Sequence, residues 1–332
     1  MSSRGSAGPN QLTPHRFSSA AVDRVARKVR RVFARLDSRP YLGVDERREF
    51  RFYQGLFDES LARLDRKVQE GRTTPVDLTG FPQVLNYRGY SPCVGIFIGS
   101  FDPFQMTHLG AALRFLGSDE SDADLVFVVP EGKDNPLKPK KSDYNFRYEL
   151  LRLQIESIFA PFVVPLDIGR GADTIGIVER LIDLHPGAHL KLTHVLGSDS
   201  LPVAASLLAE DLAAWRARAA LRHVELDHGM HIELRRENDP IEPYAEAVAA
   251  LGSRFAVDRR FVGAPSSTDF RSGRNLTIVF PTDAVLSRLE LLFRYGMNRS
   301  WMPEMGEDSA EGADGAGSAN GAGAPRSSDF EI

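Results

Sequence analysis

The stretch Val94-Gly95-Ile96-Phe97-Ile98-Gly99-Ser100-Phe101-Asp102-Pro103-Phe104-Gln105-Met106-Thr107-His108-Leu109 decides how this chain folds. Its apolar opening, Val94 to Ile98, reads as a buried parallel strand, Gly99 permits a sharp exit, and residues 107 to 117 read as a helix. A strand, a small-residue turn and a helix N-terminus make a cradle for an anion, because the first amide N–H groups of a helix lack internal partners and carry the positive end of its dipole. His108, in the first turn, adds a side chain able to hydrogen-bond a phosphate oxygen, and no Walker lysine is present.

Outward from this stretch, strands and helices alternate. Strands are expected at Leu125 to Val129, Phe162 to Leu166 and Leu190 to Leu196, with helices at Asn145 to Phe159 and Thr174 to Leu184 between them. Repeated βαβ units imply an α/β fold, a doubly wound parallel sheet with helices on both faces. Further on, His223 to Leu226 and Ile232 to Arg235 read as two strands, Tyr244 to Leu251 as a helix, and Phe255 to Val262 as a strand. That last strand delivers Ser266-Ser267-Thr268-Asp269-Phe270-Arg271, which offers three hydroxyls and a planar guanidinium fork matching phosphate oxygens. A helix N-cap or a plain turn would use the same Ser-Ser-Thr run.

The first segment resembles the GSFDPxHxGH signature of the nucleotidylyltransferase superfamily. The second resembles the ISSTxxR signature of its nicotinamide or nicotinate mononucleotide adenylyltransferase branch. Between them, Leu196-Gly197-Ser198-Asp199 is similar to the family's GxD element, and Val279-Phe280-Pro281 followed by Val285, Leu289, Leu292 and Phe293 is similar to its closing element and terminal helix. The resemblance spans residues 94 to about 298. It departs at Gln105, where bacterial members carry the first histidine, and at Thr107, where they carry glycine. Eukaryotic members also lack that histidine, and Gln105 can still donate an amide hydrogen bond without carrying charge. The stretch from Arg271 to Pro281 is also shorter than usual.

The resemblance implies a Rossmann-like sheet of nucleotidylyltransferase type and transfer of an adenylyl group from ATP to the phosphate of a pyridine mononucleotide, with pyrophosphate leaving. Such chemistry needs positioning and charge neutralisation rather than a protein nucleophile. By motif position His108 and Arg271 are the catalytic candidates. Gly99, Ser100, Phe101, Gln105, Gly197, Asp199, Ser266, Ser267 and Thr268 join them as ATP contacts, and Asp102 braces the loop. Mg²⁺ would ride on the triphosphate rather than in a protein cage. Lys138, in the basic loop Asn135 to Lys141, Thr174 with Asp173, and Trp215 are candidates for the acceptor side; Trp215 on a helix is by default a core residue, and Asp199 serves equally as a helix N-cap. Acceptors other than a pyridine mononucleotide (flavin mononucleotide, phosphopantetheine, a polyol phosphate) and a nucleotide-binding regulator without turnover are the alternatives.

At 332 residues, 42% apolar and 26% charged, the chain can bury a sizeable core, and a net charge of −4 gives no general pull toward nucleic acid or acidic membranes. One cysteine, Cys93, excludes an internal disulfide. With no signal-peptide pattern and no apolar run of membrane-spanning length, a soluble cytoplasmic protein is expected. His185, His189, His194, His223, His228 and His231 invite a metal reading, but His228 and His231, three apart, have no third ligand of convincing spacing, and Asp227 and Gly229 suggest a turn there, so no protein-held metal is expected.

Residues 1–16 read as disordered and 302–332, with seven acids against one arginine, as a disordered acidic tail. Within 17–90, Val22, Val25, Val29, Val32, Phe33 and Leu36 form the apolar stripe of a helix rich in arginine. Phe50, Tyr53, Phe57, Leu61, Leu64 and Val68 form a second. This helical extension precedes the nucleotidylyltransferase-like domain at 91–301. It reads as a cap or a homo-oligomer contact, and its basic helix is the one surface that could meet nucleic acid.

Overall fold

The computed structural model describes residues 19–37, 44–73, 93–133, 141–260 and 279–282. Six parallel strands form one sheet: β1 (Cys93–Gly99), β2 (Leu125–Pro130), β3 (Val163–Pro165), β4 (His189–Gly197), β5 (Glu225–Glu233) and β6 (Arg254–Asp258). Their order is β3-β2-β1-β4-β5-β6. This is the doubly wound α/β architecture expected from the alternation of elements.

The strands alternate faces as their pleat requires. Phe97, Val126, Val128 and Val195 point into one core, shared with the helices α3 (Met106–Gly117) and α4 (Tyr144–Phe159). Ile96, Phe127, Leu192 and Ile232 point into the other, shared with α5 (Thr174–Asp183), α6 (Leu201–Leu221) and α7 (Glu242–Ala250). Right-handed crossovers send the helices that follow β1 and β2 to the first face and those that follow β3, β4 and β5 to the second.

Two differences from the sequence reading have clear causes. The interval 223–235 holds one strand, β5, not two, and Asp227 to Gly229 is no turn. β5 is paired on both sides, with Thr193 beside Gly229 and Gly229 beside Arg254. A Cβ on Gly229 would sit 3.3 Å from Thr193 Oγ1 and 3.4 Å from Arg254 Cβ, so the glycine answers a close approach within the sheet. The other difference is α6, whose 21 residues showed no stripe because alanine dominates its sequence.

The N-terminal pair, α1 (Ala20–Asp37) and α2 (Val44–Gln69), packs into the first core rather than beside it. Phe33 and Phe57 meet Phe280 at ring separations of 5.9 and 6.1 Å, and Phe159 meets it at 5.1 Å. Lys67 of α2 is buried and its ammonium donates to the carbonyls of Leu116 (2.7 Å), Ser118 (3.0 Å) and Ser121. A cation there satisfies carbonyls that end α3 and lies at the negative end of its dipole. Burial pulls the Lys67 ammonium down to about 8. From α3, the buried Arg114 pairs with Asp258 (2.6 Å) and Glu233 (3.3 Å), and Arg260 joins Asp258 (2.7 Å) to Glu59 of α2 (3.1 Å). Burial alone would raise the Asp258 carboxyl; hydrogen bonds from Arg260 and Arg114 outweigh it and hold it below the usual carboxylate range. None of the described helices is long and apolar enough to cross a membrane. Residues 1–16, 302–332 and the 285–293 series lie outside the described residues.

The α2–α3 contact yields a pair of substitutions of opposite sign. A Cβ on Gly117 would lie 2.8 Å from the Ser60 carbonyl oxygen, a backbone atom that cannot swing aside, whereas Gly55 of α2 has open space. Gly117→Ala should lower stability by about 1–3 kcal/mol through overpacking. Gly55→Ala should raise it by about 0.5–1 kcal/mol through helix propensity. Urea melts of both variants measure the two signs.

A second expectation concerns acid. His194 and His228 are buried and joined at 2.9 Å (Nδ1 to Nε2), His228 Nδ1 meets Ser253 Oγ at 2.8 Å, and Trp215 stacks on His194. Burial holds His194 down to about 4, and burial with the neighbouring His194 holds His228 lower still. Unfolding therefore takes up two protons as pH falls below the ordinary histidine value of about 6.5. Burial pushes the Asp211 carboxyl up to about 6, so unfolding releases one proton over the lower part of that range. The net uptake of one proton should cost about 1.4 kcal/mol per pH unit between about pH 6 and 4.5. Asp211→Asn should steepen the slope, and a flat stability profile over that interval would contradict the assignment.

Candidate active site at the carboxyl edge of the sheet

β1 and β4 are neighbours in parallel register, with Ile96 beside His194. Three residues further along each strand are Gly99 and Gly197. The loops leaving them start side by side and then diverge, since α3 lies on one face of the sheet and α6 on the other. Open α/β sheets bind ligands at such a switch in strand order. The Gly99–His108 segment and the Gly197–Asp199 segment, 98 residues apart when counted from Gly99 to Gly197, thus share one edge.

The loop after β1 is built on aromatic packing. Phe101 takes a positive φ of 43°, a region that bulky side chains rarely adopt, and its ring is held by Phe97 (5.3 Å), Phe104 (5.2 Å) and His108 (5.2 Å). A Cβ on Gly99 would meet the Phe101 ring at 2.9 Å, so the exit from β1 has no room for a side chain. His108 is half-buried among Phe97, Phe101 and Phe104. Its Nδ1 accepts from the Gln105 backbone N–H at 3.0 Å, which closes the first turn of α3 and leaves Nε2 as the protonated nitrogen of the neutral ring. Gln105 is buried and its Oε1 accepts from Thr107 Oγ1 at 3.1 Å, so the two positions that depart from the family signature bond each other.

Sequence reasoning missed the side chains that hold this loop. Arg147 of α4 is 2% exposed, and its guanidinium donates to three carbonyls: Ser142 (2.9 Å, from Nε), Glu131 (2.9 Å, from Nη2) and Ser100 (from Nη1). Burial lowers its affinity for a proton, opposed chiefly by Asp102. Asp102 Oδ2 accepts from the Ser142 N–H at 2.8 Å, so the expected brace exists and reaches across to the start of α4. Gln154, fully buried, donates from Nε2 to the Phe104 carbonyl (3.2 Å) and accepts at Oε1 from the Phe280 N–H (2.9 Å). Neither Arg147 nor Gln154 has a local sequence signal, because the backbone partners that join them to the edge, Ser100 and Glu131 for one and Phe104 and Phe280 for the other, lie far away in the chain.

On the β4 side, a Cβ on Gly197 would collide with Asp199 Oδ1 and approach Arg235 Cγ at 2.9 Å. Asp199 is exposed, and Ser200 rather than Asp199 precedes α6, so its carboxylate does not act as the N-cap. Ser198 Oγ donates to Asp239 Oδ2 (2.5 Å) and accepts from the Arg235 N–H (2.8 Å), which ties this loop to the one after β5.

On the β3 side, Thr174 opens α5 behind its N-cap Asp173, which accepts from the Gly176 N–H at 3.0 Å. Lys133 meets Asp173 at 2.6 Å and keeps its carboxyl below the usual range. Trp215 does not reach this edge: it is 1% exposed, its Nε1 donates to the Ile175 carbonyl at 3.3 Å, and its ring stacks on His194 at 5.2 Å. His194 pairs with Ile96, three residues before the strand ends, so Trp215 packs about 10 Å below the edge and takes the core role. Lys138, Ser266, Ser267, Thr268 and Arg271 lie outside the described residues. Among the described residues no group of three His, Cys, Asp or Glu could hold a metal ion.

No family model matches the chain. A curated relative from Maridesulfovibrio salexigens, named as a probable nicotinate-nucleotide adenylyltransferase, is 29% identical over 161 residues, which cover 43% of this chain and 67% of that protein. Two solved structures of Plasmodium falciparum nicotinic acid mononucleotide adenylyltransferase, complexed with NaAD and with APC, align at 15% identity. They cover 62% of this chain and 97% and 96% of theirs, with TM-scores of 0.40 and 0.39. The fold rests on the strand order above and not on those loose superpositions. The sequence resemblance of this chain is to the nucleotidylyltransferase superfamily, in the branch to which its nicotinate-nucleotide adenylyltransferase relative belongs.

Proposed function

We propose that this chain transfers an adenylyl group from ATP to nicotinate or nicotinamide mononucleotide, with release of pyrophosphate and formation of a dinucleotide. The observation that carries the reading is the order of loops along the carboxyl edge. The β4 loop with Asp199 lies on one side of the Gly99–His108 cradle, and the β2 and β3 loops with Lys133, Asp173 and Thr174 lie on the other. Adjacent strands are about 4.8 Å apart, so the row from β4 to β3 extends about 15 Å, room for an adenosine, a central phosphate and an acceptor in line. The curated relative's name supports the same reaction class.

In this reading the cradle amides and His108 Nε2–H donate to the α-phosphate as charge develops on it, and the neutral imidazole acts as a donor rather than a base. Ser266, Ser267, Thr268 and Arg271 grip the β- and γ-phosphates. The undescribed interval 261–278 starts three residues after Asp258, at the carboxyl end of β6. It returns to Phe280, whose N–H shares the Gln154 carboxamide with the Phe104 carbonyl of the cradle loop. Arg271 is eight residues from Val279, a reach of at most about 29 Å. Mg²⁺ enters with ATP as part of the substrate, held by phosphate oxygens and water. Lys138 and Thr174 serve the acceptor, and the reaction suits a cytoplasmic protein.

Pyrophosphate release measured with ATP, Mg²⁺ and each of nicotinate, nicotinamide and flavin mononucleotides, phosphopantetheine and a polyol phosphate tests the reading. Turnover is expected with a pyridine mononucleotide. Turnover only with another acceptor would move the assignment within the superfamily, and binding of ATP without any turnover would favour a regulator. His108→Ala should lower kcat by about a hundredfold with mononucleotide affinity nearly unchanged, the signature of a group acting in the transition state. An equal rate in variant and parent would remove His108 from the reaction.

A further inference from the structure

We propose that Arg147 is a positioning residue that sets the cradle and both ends of the neighbouring basic loop as one unit; the catalytic part of this inference rests on the function proposed above. The guanidinium lies under the carboxyl edge and touches three separate pieces of backbone. Ser100 belongs to the cradle, Glu131 opens the loop that contains Lys133 and Lys138, and Ser142 closes it. Glu131 is itself bound to β1, its N–H donating to the Gly99 carbonyl at 2.9 Å. A single planar cation thus fixes the distance between the phosphate cradle and the loop across from it.

Asp102 completes the device. Ser142 is held from both sides, its N–H by Asp102 Oδ2 and its carbonyl by Arg147 Nε. Asp102 is 3% exposed and its charge favours the guanidinium beside it. Burying a guanidinium on carbonyls rather than in a direct carboxylate pair costs solvation that plain packing would avoid. The return is geometry: the three carbonyls are met by three different nitrogens of a rigid fork, whereas Lys carries its donors on one nitrogen and suits carbonyls that converge, as they do on Lys67. Displacement of a binding loop by about 1 Å suffices to cost about a hundredfold in rate.

The test compares Arg147→Lys and Asp102→Asn with the parent by amide hydrogen exchange and by kinetics. Lysine keeps the charge, and asparagine keeps an acceptor for the Ser142 N–H. Exchange at residues 99–105, 131–133 and 141–143 should accelerate by about tenfold or more in either variant, while the interiors of β4 and β5 keep parental protection. In kinetics, Arg147→Lys should lower kcat by about tenfold or more, with a smaller change in KM for ATP.

Parental exchange in those three segments in both variants overturns the proposal, as does acceleration spread evenly over the sheet, which would mark a purely structural role. If Arg147→Lys does not fold, the exchange pattern of Asp102→Asn decides alone. The exchange arm needs no turnover, so a parent protein inactive with every acceptor would sink the proposed function and leave the positioning result to stand or fall by itself.

Discussion

Right-handed crossover between parallel strands is the constraint from which the rest of this molecule follows. It sends α3 and α4 to one face of the sheet and α5, α6 and α7 to the other, so the loops leaving β1 and β4 start together and part at once. Backbone that must diverge there cannot close over its own amides. The resulting crevice lies at the N-terminal ends of two helices, and its chemistry is in place before any particular side chain is chosen.

The side chains then fix what crossover leaves loose. Among the described residues, several loops at this edge are held by buried polar groups acting on backbone atoms: Arg147 and Asp102 behind the cradle, Gln154 between Phe104 and Phe280, Ser198 between the β4 and β5 loops. Apolar packing could not do this, because loop carbonyls and amides taken from water need partners. The helical pair α1 and α2 is part of the same economy. It covers α3 and α4 with Phe33 and Phe57, and Lys67 satisfies carbonyls that end α3, so the extension stabilises the helix whose first turn carries His108.

Sequence showed most of this frame and little of the bracing. The strand at 94–98, the helices at 107–117 and 145–159 and the two N-terminal stripes were legible because each has an uninterrupted run or a clean helical period. β5 was split by Asp227 and Gly229, residues that suit a turn locally but here serve a strand paired on both sides. α6 was invisible to periodicity because alanine gives weak contrast between its faces. Among the site residues, Gly99, Phe101, His108, Gly197 and Asp199 were legible as motif, and the structure places them in the neighbouring loops of β1 and β4. Trp215 reads by default as core and by motif position as an acceptor contact, and the tertiary structure packs its ring against His194. Arg147 reaches the carbonyls of Ser100 and Glu131, and Gln154 the backbone of Phe104 and Phe280, and contacts across such separations leave no pattern in neighbouring positions.

The central claim is that one nucleotide spans the loops of β1 and β4 and draws in the Ser266–Arg271 segment. Titration of the isotope-labelled protein with a non-hydrolysable ATP analogue, followed by backbone amide NMR, measures this most directly. The account predicts that Gly99 to Phe101, Gly197 to Asp199 and Ser267 to Arg271 shift together along one saturation curve with a single Kd. Shifts confined to one of the three segments, or separate curves for the β1 and β4 loops, would contradict it.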